Sequence, residues 1–255
     1  LSSSSAASDV YKRQVHRYLY TVRNDAIYVN LYASSETTLT QNGKFFYIRQ
    51  ETSYPWKGEI LFHTEGFHPD MLLALRIPGW CTSWKLLNGL GQERHDFYIN
   101  HGYLYLSPAP NDCFLLQLDM TPYCVKANCL TKSNVGKAAL MRGPIVYCME
   151  ELDNGPQLYN ILVSPEGSFN ECLSSEFSKG ELPTLPPDSI TLYENAVFLE
   201  TQKAIREIAL PEQSLYERYH AENTNKICAR FIPYFLWGNR NGKTPREMQV
   251  WFRTM

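Results

Sequence analysis

No run of eighteen apolar residues occurs anywhere in this 255-residue chain, so it contains no stretch suited to crossing a bilayer as a helix. It also lacks a Cys-x-x-Cys pair, a His-x-His and a Cys-x-x-His, which leaves a zinc site without local ligand spacing to support it. A Gly-rich phosphate loop, a Gly-x-Ser-x-Gly elbow and a His-Glu-x-x-His motif are missing too. The familiar local signatures of nucleotide binding, serine hydrolysis and metalloproteolysis are thereby removed. An excess of charge of either sign is lacking: a net −2 offers no electrostatic pull toward nucleic acid or an anionic membrane. Leu1 to Gln14, LSSSSAASDVYKRQ, has neither an apolar centre nor a starting methionine and does not read as a signal peptide. It resembles the translation of a sequencing adapter, and we expect residues 1–14 to be non-native and the true chain to continue upstream of Val15.

What the chain does have is aromatic side chains, with 17 Tyr, 12 Phe and 5 Trp, within a hydrophobic content of 44%. That composition builds a real core and favours strands. The seven cysteines, Cys81, Cys113, Cys124, Cys129, Cys148, Cys172 and Cys228, are odd in number. Several lie in apolar runs, where a thiol packs as a small hydrophobe. Reduced thiols point to the cytoplasm.

Met71 to Trp84, MLLALRIPGWCTSW, is the stretch around which the rest is organised. Its short apolar run stops at Pro78-Gly79, as a strand buried on both faces would. Arg76 within it must pair or snorkel, and the indoles of Trp80 and Trp84 need partners. Ala26 to Tyr32 alternates, with Ile27, Val29 and Leu31 on one side and Tyr28, Asn30 and Tyr32 on the other. Asn42-Gly43 joins two strand-like runs as a hairpin. Runs of strand length recur about every ten residues through Asp119 without helical periodicity, and Thr121-Pro122 marks a border. Beyond it, Lys137 to Leu152 forms two apolar runs bent at Gly143-Pro144, where the missing N–H predicts a kink or a change of sheet. Residues 155–187 read as an exposed loop with only Leu158 to Val163 strand-like. Further strands are predicted at Ile190 to Tyr193, Ala196 to Thr201, Arg206 to Leu210, Arg230 onward and Met248 to Arg253, with 213–225 polar. The predicted fold class is all-β: two consecutive antiparallel β-sandwich domains, 26–122 and 123–255.

Chemistry is harder to find. Glu150-Glu151 is a carboxylate pair, but neighbours on a strand face opposite ways, and a solvated strand end is the simpler reading. His63 and His68 flank a turn without a third ligand. Cys124 and Cys129 have no recurrent site behind their spacing, and Asp96, Asp112 and Asp119 sit where Asp commonly caps turns. Tyr54, Trp56, Trp80 and Trp237 could stack on a sugar, although loop aromatics more often plug a sandwich end.

Six segments taken in order resemble one family: Tyr28 to Tyr32 (YVNLY), Thr52 to Ile60 (TSYPWKGEI), Leu75 to Cys81 (LRIPGWC), Ala139 to Glu150 (ALMRGPIVYCME), Ile232 to Arg240 (IPYFLWGNR) and Met248 to Arg253 (MQVWFR). Together they resemble the C-terminal half of the glycoside hydrolases of family 127, the β-L-arabinofuranosidases, over Val15 to Met255. The resemblance implies an N-terminal (α/α)6 barrel followed by middle and C-terminal β-sandwiches, with 15–25 as the end of the barrel or its exit segment. It implies release of non-reducing terminal β-L-arabinofuranose with retention. The nucleophile would be a cysteine thiolate held on zinc by a glutamate and further cysteines, including an adjacent pair, with a second glutamate as acid/base. Zinc would keep that thiol deprotonated at neutral pH. None of this machinery maps onto a residue here, so no catalytic, cofactor-binding or metal residue is assigned, and zinc is expected in the missing catalytic domain. One departure from the family's pattern is Pro108 to Cys113, PAPNDC, before the strand that precedes Met120. The expected role is accessory support of the barrel by a fragment inactive on its own, with a homodimer contact also open to it. The alternative is a carbohydrate-binding module, and neither nucleic acid nor membrane is expected as a partner.

Overall fold

The computed structural model describes residues 14–23, 26–41, 43–68, 70–172, 196–208, 216, 218, 224–238 and 247–255. The tail 1–13, the turn at Asn24-Asp25, Asn42 of the hairpin, the strand expected at Ile190 and most of 213–223 lie outside them. The chain divides into two compact units, Leu1–Met120 and Thr121–Met255, and both are built from strands.

In the first unit a 3-10 turn, Val15–Tyr18, leads into β1 (Tyr20–Val22) and β2 (Ala26–Val29). There follow β3 (Ser35–Gln41), β4 (Lys44–Thr52), β5 (Glu59–Glu65), β6 (Leu72–Arg76), β7 (Trp84–Asn88), β8 (Phe97–Asn100), β9 (Tyr103–Leu106) and β10 (Asn111–Leu118). They form two five-stranded sheets, ordered β1-β2-β6-β9-β8 and β3-β4-β5-β10-β7. Period-two alternation fills the space between them: Ile27, Leu73, Leu75 and Leu104 of one sheet meet Phe46, Ile48, Phe62 and Phe114 of the other. The β3–β4 hairpin closes with Gln41 opposite Lys44 and Gly43 at φ 74°, a backbone state glycine adopts without a Cβ penalty.

The β6 run is buried on both faces as expected, with Leu73 and Leu75 in the sandwich core and Ala74 in a separate cluster. Arg76 resolves its charge by lying exposed at the strand end, where its carbonyl accepts the Tyr32 hydroxyl. That bond accompanies a correction. Tyr32 does not share a side with Tyr28, because β2 stops at Val29 and the chain turns Tyr32 into the core at 7% exposure. A second difference is that β2 pairs β6 in parallel. Parallel neighbours need a long crossover, and β3–β5 of the opposite sheet supply it. Gly58 brings the loop against β10: a Cβ there would lie 2.0 Å from the Leu118 carbonyl oxygen.

The second unit contains β11 (Tyr123–Val125), β12 (Lys137–Arg142), β13 (Ile145–Glu150), a helical turn Glu151–Asn154, β14 (Ile161–Val163), β15 (Asn170–Cys172), β16 (Phe198–Glu207), β17 (Thr224–Pro233), β18 (Met248–Gln249) and β19 (Phe252–Thr254). Its described strands hydrogen-bond as β11-β12-β19-β14-β16-β17-β13-β18, with β15 beside β16. The β12–β13 pairing joins the sheet back on itself around Leu140, Tyr147, Ile161, Leu199 and Phe231. Gly143-Pro144 is neither a kink nor a change of sheet but the turn of that hairpin, with Arg142 opposite Ile145. Gly143 at φ 54° followed by proline's fixed negative φ suits a two-residue hairpin turn. The runs expected at 196–201 and 206–210 meet in the single strand β16, Phe198–Glu207, residues 209 and 210 lying outside the described residues. The polar residues between them form a bulge at Thr201/Ala204, where the buried Thr201 hydroxyl accepts the Lys203 N–H at 3.1 Å.

Candidate functional site

Of the carboxylates singled out in the sequence, Glu151, Asp96 and Asp112 are held in structural ties, Glu150 is buried, and Asp119 is exposed after β10, its N–H donating to the Ser83 carbonyl at 2.9 Å. Glu150 is 1% exposed rather than solvated, at the end of β13, where it pairs with Met248 of β18 and the turn Glu151–Asn154 begins beside it. Asn154 latches that turn: its amide donates to the carbonyls of Glu150 and Arg230 at 3.1 and 2.9 Å, and its oxygen accepts the Arg230 N–H at 2.9 Å. Glu151 opens the turn, and its Oε2 accepts the Glu247 N–H at 2.9 Å. Asp96 and Asp112 are held by Arg94, at 2.7 and 2.8 Å. The hydrogen bond from Arg94 holds the Asp96 carboxyl below its usual range. His63 lies 3.5 Å from Glu51, opposite Arg49 across the ladder, and His68 is exposed.

The seven cysteines are all thiols. Burial pushes the Cys124 thiol up to about 11; Cys81 and Cys228 are raised too, chiefly by burial. A nucleophilic thiol needs the opposite shift, so these three stay protonated at neutral pH. Cys124 and Cys129 line a cavity of about 580 Å³ in the second unit, beside Lys126, Lys137 and Glu166. Among the described residues, no group of three or more His, Cys, Asp or Glu side chains is arranged to hold a metal ion.

Three of the four loop aromatics lie in the first unit and one in the second. Tyr54 and Trp80 pack against the first unit's core, and Trp80 hydrogen-bonds the Tyr54 hydroxyl. Trp56 is partly buried in the same loop as Tyr54. Trp237 belongs to the other unit, where it is 42% exposed after the turn Tyr234–Leu236.

A different aromatic group emerges on the outward face of β1-β2-β6-β9-β8. Register aligns Thr21 with Tyr28, Tyr28 with Ala74, Ala74 with Tyr105, and Tyr105 with Tyr98. Because Ala74 is small, Tyr28 reaches across it to meet Tyr103 and Tyr105 edge-on, at 5.3 and 6.1 Å between centroids. Tyr98 stacks on Tyr105 at 4.8 Å and 2°, and Arg23 sits 5.6 Å over the Tyr28 ring. Asn30 ties the incoming chain to this group, accepting the Tyr103 hydroxyl at 2.8 Å and donating to the Tyr18 carbonyl and Thr21 Oγ1 at 3.2 and 2.9 Å. Alternation within β2 and β9 hints at Tyr28, Tyr103 and Tyr105. Their meeting depends on pairings between distant strands.

The two units correspond to two family profiles. Residues 26–120 match "Beta-L-arabinofuranosidase, GH127 middle domain", and 121–253 match "Glycoside hydrolase family 127 C-terminal domain". The chain belongs to glycoside hydrolase family 127. This family 127 chain is similar to the non-reducing end beta-L-arabinofuranosidase of Bifidobacterium longum subsp. longum, at 27% identity over 237 residues, 89% of this chain and 33% of the relative. A crystal structure of a GH127 beta-L-arabinofuranosidase from Geobacillus stearothermophilus T6 superposes with a TM-score of 0.77 at 31% identity, covering 94% of this chain and 35% of that one. A further GH127 beta-arabinofuranosidase gives 0.71 at 28%, covering 93% and 36%. The family 127 chain thus spans about a third of the length of these relatives. No described helix is long and apolar enough to cross a membrane.

Proposed function

We propose that this chain is the middle and C-terminal sandwich region of a longer glycoside hydrolase that removes non-reducing terminal β-L-arabinofuranose, and that its own role is accessory. One observation carries the reading: the match is confined to about a third of each relative, under profiles described as middle and C-terminal domains. The thiol chemistry supports it, since Cys81, Cys124 and Cys228 are shifted away from nucleophilicity. The zinc that the family resemblance implies does not fit the described side chains, which offer no three-ligand group. In this reading the zinc belongs to an (α/α)6 barrel preceding residue 26. Thiols in place of disulfides fit a reducing compartment, and we assign the enzyme to the cytoplasm on that basis. Sequencing the DNA contiguous with and upstream of Val15 tests the reading. A helical domain containing adjacent cysteines is the expected result; an upstream frame without one overturns it.

The rival, a carbohydrate-binding module, draws on the exposure of Tyr234, Phe235 and Trp237, at 46, 44 and 42%. It requires saturable quenching of tryptophan fluorescence by arabino-oligosaccharides, weakened by Trp237→Ala. We expect a flat titration.

A further inference from the structure

We propose that the outward face of the β1-β2-β6-β9-β8 sheet is a docking face for polypeptide, and that its occupant is the domain preceding the middle sandwich in the intact hydrolase. The inference rests on the accessory reading above and adds to it the surface by which that role is exercised.

The face is apolar where an outward sheet face is ordinarily polar. Ala26 and Ala74 are 0% exposed and Tyr105 is 8% exposed, while Tyr98 at the edge strand remains 51% exposed. The other side of the same sheet is already sealed by the sandwich core, so the tyrosines are not needed to close the fold. What the row leaves open is Tyr98, with Tyr28 and Tyr103 half-buried beside it, and tyrosine is enriched at protein interfaces.

Ring orientation decides between sugar and polypeptide. A sugar platform needs flat ring faces turned outward. Here the faces are engaged within the row: Tyr98 and Tyr105 cover each other, Tyr28 stands edge-on to Tyr103 and Tyr105, and Arg23 lies over Tyr28. The hydroxyls are engaged too, Tyr103 with Asn30 at 2.8 Å and Tyr105 with Tyr28 at 3.4 Å, so the row offers a sugar no open platform of ring faces.

Two observations select the occupant. The first unit matches a profile described as a middle domain, and relatives carry about two thirds of their length outside the matched region. The polypeptide also enters this unit at the border of the same face. β1 is the edge strand beside β2, and Asn30 fastens Tyr18 and Thr21 of the incoming segment to Tyr103. Val15 and Tyr18 in the incoming turn are 53 and 65% exposed, extending the apolar surface toward whatever precedes them. A domain tethered there has a high effective concentration over this face.

Hydroxyl-radical footprinting of the intact enzyme and of the 255-residue chain tests this, with Tyr159 of the second unit, 57% exposed, as internal reference. Oxidation of Tyr98 relative to Tyr159 is expected to fall several-fold in the intact enzyme. Equal oxidation in the two proteins overturns the docking face. So does protection of Tyr98 in the 255-residue chain by arabino-oligosaccharide, which makes the face a sugar site, or by raising its concentration, which makes it a self-contact. Arabinofuranosidase assay of the same intact sample keeps the two readings apart: an active enzyme with Tyr98 unprotected sinks only the docking face, whereas an inactive one sinks the functional reading beneath it. As a second handle, Tyr98→Asp is expected to lower the melting temperature of the intact enzyme more than that of the 255-residue chain, which loses only the stacking on Tyr105. A drop of equal size in both contradicts the proposal.

Discussion

The inward side of β1-β2-β6-β9-β8 presents Ile27, Val29, Leu73, Leu75 and Leu104, all at 0% exposure; the outward side of the same strands presents Tyr28, Ala74, Tyr103 and Tyr105. Both sides come from one alternating pattern, yet they solve different problems. Branched aliphatic side chains interlock with the opposing sheet and must stay dry. Tyrosines bury a large apolar body while keeping a hydroxyl that either water or a partner can satisfy. A face built this way tolerates being bare, and also tolerates being covered. The contrast teaches that the period-two code can carry a domain's core and its external surface in one strand.

Substitutions along β6 and its neighbours would break or sharpen this contrast. Leu75→Ala on the inward side should destabilise the 255-residue chain by about 3 kcal/mol, as large-to-small core changes do, measured by urea unfolding. A loss below about 1 kcal/mol would mean the inward side is not the tight one. Gly58→Ala acts at the rim of the same sandwich, forcing a Cβ against the Leu118 carbonyl at 2.0 Å. It should cost about 2 kcal/mol, in the range of overpacking. On the outward side, Tyr28→Ala removes a half-buried ring without opening the sandwich, and about 1.5 kcal/mol is expected; a cost equal to that of Leu75→Ala would erase the distinction between the sides.

The tyrosine that turned inward supplies a pH test. Burial, with Tyr54 nearby, holds the Tyr32 pKa well above its ordinary 10.0. The folded state therefore keeps a proton that the unfolded chain releases. The stability this contributes is complete below pH 10.0 and declines as pH rises from there toward the raised folded value. Tyr32→Phe should flatten that alkaline decline, at a cost of about 1 kcal/mol for the lost hydrogen bond to the Arg76 carbonyl. An unchanged alkaline limb would place the titration elsewhere. The smallest effect is expected at the exposed edge, where Tyr98→Ala loses the stacking on Tyr105 and should cost about 0.5 to 1 kcal/mol.

Much of the fold was legible because it was written locally. The apolar run of β6 declared a strand with two buried faces, and Gly43 with its neighbours declared a hairpin. What escaped depended on partners far away in sequence. Tyr28 and Tyr32 look equivalent by alternation, but only the end of β2 and the Tyr32 hydroxyl bond to Arg76 separate them. The outward row needs the parallel β2–β6 register and the β6–β9 register, neither of which any short window contains. Gly143-Pro144 read as an interruption because proline lacks a ladder N–H, whereas a hairpin turn makes no demand for one at that position. The polar residues within β16 read as a gap between strands, though a bulge absorbs them. Glu150 looked solvated because glutamate usually is, and its pairing with Met248 is a contact between strands far apart in sequence. The absence of local chemical motifs was readable at once, and the family resemblance alone supplied a reaction.

Whether these strands do chemistry themselves is the most direct question to put to them. Purified 255-residue chain, incubated with an aryl β-L-arabinofuranoside in the presence of zinc and a thiol reductant, should release no arabinose above the blank, while the intact enzyme turns the same substrate over. Release by the shorter chain would contradict the accessory role and return the reactive groups to these two units.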